Sequence, residues 1–192
     1  SVIKMGSLTE SQLVDSMDAV IKVDKDSIDK SIKSDDEINK FRSKIDTQIM
    51  TLLVKRAPMA IDLRETISSL KISQDLERIG DQTKNIAKAS RWLAKLPTNQ
   101  TVLSFDNLFN LISTNFTKVV NAFNQEDSAK AKKIWLKDAD VNKQYDILFR
   151  ETLTYMLEDP RNIASCSQVL SVAKNLERIG DHTQNIAEMI YY

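Results

Sequence analysis

Glu77 and Asp81 stand four residues apart, and Glu177 and Asp181 repeat them at an offset of 100 residues. Four residues is close to one helical turn, so each pair projects two carboxylates from one side of a helix. Two like charges held there cost stability unless something cationic offsets them. A second acidic element is also duplicated, Asp35-Asp36-Glu37-Ile38-Asn39 and Asp138-Ala139-Asp140-Val141-Asn142, each an Asp-x-x-aliphatic-Asn. Acids from two helices can therefore meet in each half of the chain. Carboxylate and amide oxygens suit hard or borderline cations such as Mg, Mn or Fe and need no thiolates. A lone pair of acids one turn apart is usually solvated and inert, and it is the duplication that favours metal binding here.

Other chemistry is less well supplied. A di-iron oxidase on bundle helices uses Glu-x-x-His, yet the residue three after Glu77 and Glu177 is glycine in both copies. Gly80 and Gly180 lie inside a helical pattern, where glycine costs about 1 kcal/mol relative to alanine. They mark either a tight helix crossing or space cleared between the acids for an ion, and the two are compatible. His182, the single histidine, is replaced by Gln82 in the first copy, so it reads as a partly exposed polar residue. Arg78 and Arg178 are expected to pair with nearby carboxylates, and Asp62-Leu63-Arg64 after Pro58 either caps a helix through Asp62 or presents Arg64 to an anion. Cys166 has no cysteine partner and reads as a small buried filler. No nucleophile pairs with a base, and no glycine-rich phosphate loop or thiol and histidine metal spacing occurs. The sequence predicts no enzyme.

The elements that carry these acids follow from apolar spacing. Residues 72, 76, 79, 83 and 86, and again 172, 176, 179, 183 and 186, are mostly apolar at steps of four and three, which predicts a buried helix face. Upstream of the first motif, residues 8–23 and 27–54 form two helices. The first is seamed by Leu13, Met17, Val20 and Ile21, the second by Ile38, Phe41, Ile45, Ile49 and Leu52. The motif helix runs from about Ala60 to Leu96. In the second half Leu108 to Phe123 mark the first helix, and a turn falls at Asn124-Gln125-Glu126-Asp127. One helix from Ser128 to Leu157 follows, with Ile134, Val141, Tyr145, Leu148, Thr152 and Tyr155 as its seam. The third covers residues 161–192. Only three glycines and three prolines occur, and strand-like alternation is missing. The expected fold is all-α: two tandem three-helix bundles of antiparallel helices, residues 1–97 and 98–192, split at the polar stretch after Pro97. The third helices are expected to pack together at the centre.

With 27 basic and 27 acidic residues and no run of one sign, nucleic acid is not expected as a partner. No apolar run approaches the roughly 20 residues of a membrane span, and the expected compartment is the cytoplasm.

Leu76-Glu77-Arg78-Ile79-Gly80-Asp81 and its copy Leu176 to Asp181, followed by His182 and Asn185-Ile186-Ala187-Glu188, resemble the two signature helices of the PhoU family, the accessory regulators of phosphate-specific transport. Pro58-Met59-Ala60-Ile61-Asp62-Leu63-Arg64 resembles the segment before the first of them, and the likeness runs from Met5 to Glu188. Tandem three-helix bundles are also what the resemblance implies. It further implies metal ligation by Glu77 and Asp81 with Asp35, and by Glu177 and Asp181 with Asp138, the ion being Fe, Mn, Mg or Zn. Asn39 and Asn142 stand where the family often has aspartate, which removes one charge from each site. The chain begins partway into what resembles the family's first helix, as a form trimmed from a longer protein would. By the same resemblance the protein is a cytoplasmic homodimer. It would silence phosphate-starvation signalling by bridging the ATPase subunit of a phosphate ABC transporter and a sensor histidine kinase.

Three rivals make different predictions. A PhoU-like soluble domain of a sodium/phosphate cotransporter would have a membrane region encoded beside it. A carboxylate-bridged metalloenzyme would turn over oxygen or a hydrolysable substrate once loaded. A helical spacer would keep its function without Glu77 and Asp81.

Overall fold

The computed structural model describes residues 1–22, 25–56, 59–93, 106–136 and 138–192. Its regular structure there is entirely helical. In the first bundle α1 (Val2–Lys22), α2 (Lys25–Arg56) and α3 (Ile61–Leu93) pack pairwise. In the second, α4 (Asp106–Asn124), α5 (Ser128–Trp135) and α6 (Asp138–Glu158) pack on α7 (Ile163–Tyr191), which follows a short 3-10 turn at Pro160–Asn162. The expected boundary at 97–101 lies outside the described residues. Among the described residues no helix is long and apolar enough to cross a membrane.

The four-three spacing is the core. Ile72, Leu76, Ile79 and Ile86 of α3 and Val172, Leu176, Ile179 and Ile186 of α7 are all buried, against Leu13 and Met17 of α1, Ile38 and Ile45 of α2, and Ile112 and Phe116 of α4. Each such side chain contributes about 1.5–3 kcal/mol by leaving water. The polar member of each seam is paired within its own helix, since Thr83 Oγ1 donates to Ile79 O and Thr183 Oγ1 to Ile179 O, both at 2.7 Å. A hydroxyl spent in this way can sit in an apolar seam without an orphaned donor.

The bundles share one core rather than two. Among the described residues, α3 and α7 make the most extensive helix pairing, as expected of the third helices. α1 and α4 close the same side, where Gly6 faces Val120 and Thr117 Oγ1 donates to Glu10 Oε1.

Three expectations need correction. Spacing alone places Ile21 and Tyr155 in buried seams, yet both are exposed because they lie at helix ends beyond the packed stretch. The single helix expected over 128–157 is two helices, α5 and α6. The Trp135 carbonyl at the end of α5 accepts from the Gln184 side chain of α7 (2.8 Å), so a neighbouring helix supplies the capping donor there. Asp62 lies within the first turn of α3, where its charge favours the helix N-terminus, but it is not the residue that precedes the helix. The turn at 124–127 stands as read. Glu126 takes a positive φ of 53°, Asp127 N donates to Ala122 O and Glu126 N to Phe123 O, and Asp127 then caps α5 by accepting from Lys130 N. That is a Schellman ending with glutamate in the slot that favours glycine.

Candidate functional site

The duplicated elements meet through their non-acidic members. A Cβ added to Gly80 would lie 3.2 Å from Ile38 Cδ1, and one added to Gly180 would lie 3.0 Å from Val141 Cγ1. The aliphatic residue of each Asp-x-x-aliphatic-Asn thus presses on the glycine of the motif helix. Of the two readings of these glycines, the tight crossing is the one observed. The contact fixes α2 against α3 and α6 against α7, and so sets which acids face each other.

In the first bundle it buries Asp35 of α2 beside Asp81 of α3. Asp35 is 3% exposed. The ammonium of Lys84 sits between the two acids, 2.5 Å from Asp35 Oδ2 and 3.4 Å from Asp81 Oδ1. Asn39 Nδ2 donates to the same Asp35 oxygen at 3.3 Å. Burial works against the charge of Lys84, but its hydrogen bond and attraction to Asp35, with those to Asp81, outweigh that and hold its pKa above the ordinary lysine value. Arg78 stands 3.8 Å from Asp81 Oδ2, the pairing expected of it. Glu77 points elsewhere: its Oε2 lies 3.5 Å from Arg42 Nε, and Arg42 is also paired with Asp46.

The second bundle keeps the frame and changes the charges. Glu177 is paired with Lys174 Nζ at 2.6 Å, and the hydrogen bond to Glu177 raises the lysine pKa against a smaller burial effect. Lys174 also lies over the Tyr145 ring, 5.5 Å from its centroid. Asn142 and Asp181 are exposed, and the side chain of Asp138 lies outside the described residues. At the position of Lys84 stands Gln184, the residue that caps α5.

Among the described residues, no three histidine, cysteine or acidic groups converge as a ready ligand set. Asp35 and Asp81 are brought together; Glu77 is drawn off by Arg42. The chemistry of the donors still suits a hard cation, but in the first bundle the cationic place between Asp35 and Asp81 is filled by Lys84. The requirement for an offsetting cation beside Asp81 was visible in the sequence, and Lys84, three residues on, was the residue to test for it. The difference between Lys84 and Gln184 at equivalent places was a second signal.

Sequence reasoning also missed a link between bundles. His182 Nδ1 lies 2.8 Å from Asp75 Oδ1, and Asn185 Nδ2 donates to the same oxygen at 3.4 Å. Arg42, Lys71, Arg78 and Glu188 border the open groove above this pair.

The PhoU domain model matches residues 2–90 and 105–190. The chain belongs to the PhoU family. A PhoU homologue from Caulobacter vibrioides, described as a phosphate-specific transport system accessory protein, is 38% identical over 192 residues, all of this chain and 84% of the relative. One from Rhizobium meliloti with the same description is 39% identical over 191 residues, 98% of this chain and 80% of the relative. Among solved structures, PhoU from Pseudomonas aeruginosa superposes with a TM-score of 0.95 at 33% identity, covering 100% of this chain and 92% of that one. The phosphate transport system regulatory protein PhoU from Streptococcus pneumoniae gives 0.89 at 29% identity, covering 100% and 90%. The PhoU fold is therefore shared along the whole chain.

Proposed function

We propose that the protein regulates phosphate uptake and the phosphate-starvation response as a non-enzymatic adaptor. In this reading it acts as a cytoplasmic homodimer that holds the ATPase subunit of a phosphate ABC transporter and a sensor histidine kinase together, keeping the kinase silent when phosphate is plentiful. The observation that carries it is the likeness over the full chain to accessory proteins of phosphate-specific transport. The buried hydroxyls of Ser16, Ser73, Thr83, Ser90 and Thr183 donate to carbonyls of their own helices, as packing residues of a scaffold do, while Ser31 Oγ is buried with no hydrogen-bond partner among the described residues.

The acid clusters serve this adaptor as cation sites that tie neighbouring helices together. Glu177 and Asp181 with Asp138 are the residues for a divalent or trivalent ion in the second bundle, with Asn142 as a weaker donor. Glu77, Asp81 and Asp35, with Asn39, are the corresponding set in the first, where the cation between Asp35 and Asp81 is the ammonium of Lys84. An ion bound there would supply charge neutralisation and a fixed helix geometry.

The test is genetic and biochemical. Deleting the gene should switch on a phosphate-starvation reporter in phosphate-rich medium, and this chain should restore repression and co-purify with the ATPase subunit and the kinase. A deletion that leaves the reporter silent, with neither partner retained by the purified chain, would reject the adaptor reading.

A further inference from the structure

We infer that Lys84 is the resident cation of the first acidic cluster and closes it to metal, so that the two duplicated clusters are not equivalent. The inference rests on the reading of these clusters as cation sites and divides that role between an internal ammonium and an external ion. Every acid of the first cluster already has a cation within ion-pair reach: Asp35 has Lys84, Asp81 has Lys84 and Arg78, and Glu77 has Arg42. The Lys84 ammonium occupies the space between Asp35 and Asp81 that a metal bridging them would need. A divalent ion there would have to expel it or sit beside a like charge in a poorly solvated place.

The second bundle is built differently at the same places. With Ile38 and Val141 as the matching contacts on the two glycines, the place of Arg42 is taken by Tyr145 and that of Lys84 by Gln184. Gln184 brings no charge, and its amide is committed to the Trp135 carbonyl. Two cations of the first cluster, Arg42 and Lys84, are thus replaced by neutral residues in the second, where Lys174, at the place of Gln74, pairs with Glu177 instead and no lysine stands at the place of Lys84. One oxygen of Asp35, Oδ1, is buried with no hydrogen-bond partner among the described residues. Once the ammonium is gone, Asp35 offers a desolvated carboxylate beside Asp81, which is what a hard cation requires.

The experiment uses Mn2+ alone, followed by the loss of its free-ion resonance in solution. In the Glu177→Ala, Asp181→Ala background only the first cluster is left, and no Mn2+ should bind it. Adding Lys84→Gln should create one site per chain, with affinity raised by about 100-fold or more. That site should vanish again when Asp81→Ala is added. Lys84→Met serves as a second neutral variant, and circular dichroism selects the variants that remain helical. Mn2+ bound to the background protein with Lys84 intact, and removed by Asp81→Ala, would overturn the inference. So would the absence of any gain in a helical Lys84→Gln or Lys84→Met protein. Failure of the unmutated chain to bind Mn2+ would count against the second cluster as a metal site, yet leave the gain on removing Lys84 to be read independently.

Discussion

Val141 and Gly180 meet so closely that a Cβ on the glycine would stand 3.0 Å from the valine Cγ1. Gly80 meets Ile38 in the same way, but there the nearest atom is the terminal Cδ1, at 3.2 Å. The two copies of the motif therefore differ in how much room their neighbour can yield. Valine is stiff at χ1 in a helix, whereas the end of an isoleucine can rotate away.

Gly180→Ala is expected to destabilise the protein by about 1 kcal/mol, as an overpacking cost of about 1–3 kcal/mol exceeds the roughly 1 kcal/mol gained in helix propensity. Gly80→Ala should be close to neutral, because Ile38 can give way. Urea unfolding of both variants checks this. Trimming the obstacle with Val141→Ala should erase the penalty of Gly180→Ala, and an equal loss in both glycine variants would contradict the argument.

The glycines show what was legible from sequence and what was not. Their slot inside a buried face could be read from the spacing of Leu76, Ile79 and Thr83, because a helix face repeats every three or four residues whatever it packs against. What presses on the slot depends on a helix about forty residues away in sequence, and periodicity carries no information about that register. The same limit hid half of the surroundings of Lys84. Its partner Asp81 is local, but its stronger partner Asp35 lies on α2. The division of the expected 128–157 helix was hidden likewise, since the donor capping Trp135 comes from α7. The turn at 124–127 needed no such knowledge, its polar run being sufficient.

Glu126 holds a positive φ at the end of α4, a conformation that costs a non-glycine residue about 1 kcal/mol. Glu126→Gly should therefore stabilise the protein by about that amount, with Asp127 still capping α5. Thermal unfolding followed at 222 nm gives the answer, and a lower midpoint in the variant would show that the exposed Glu126 side chain contributes more than its backbone costs.

Asp75 and His182 join the two motif helices at 2.8 Å, part-buried on both sides. His182→Ala should cost about 1 kcal/mol at neutral pH, the usual net worth of such a hydrogen bond. Asp75→Ala should cost a similar amount, and the double variant less than the sum. Strict additivity in denaturant unfolding would mean that the bond across α3 and α7 contributes nothing.

Asp35 and Lys84 form a buried ion pair, with side chains 4% and 22% exposed. Removing the lysine strands a carboxylate with little access to water, so Lys84→Met is expected to cost about 3 kcal/mol at neutral pH. Asp35→Asn should cost less, since a lysine released from its partner can extend its amine into solvent. The pH dependence follows from the direction of the Lys84 shift. Its pKa is raised on folding above the ordinary 10.5, so its stabilisation is complete below that pH and is lost as the pH climbs through the higher folded value. The stability gap between the unmutated protein and Lys84→Met should accordingly stay flat from about pH 7 to about pH 9 and shrink in stronger alkali. Guanidinium titrations of both proteins across that range measure the gap directly. A gap that widened above pH 10.5 would mean that Lys84 is held less firmly charged in the fold than in the open chain, contrary to its place between Asp35 and Asp81.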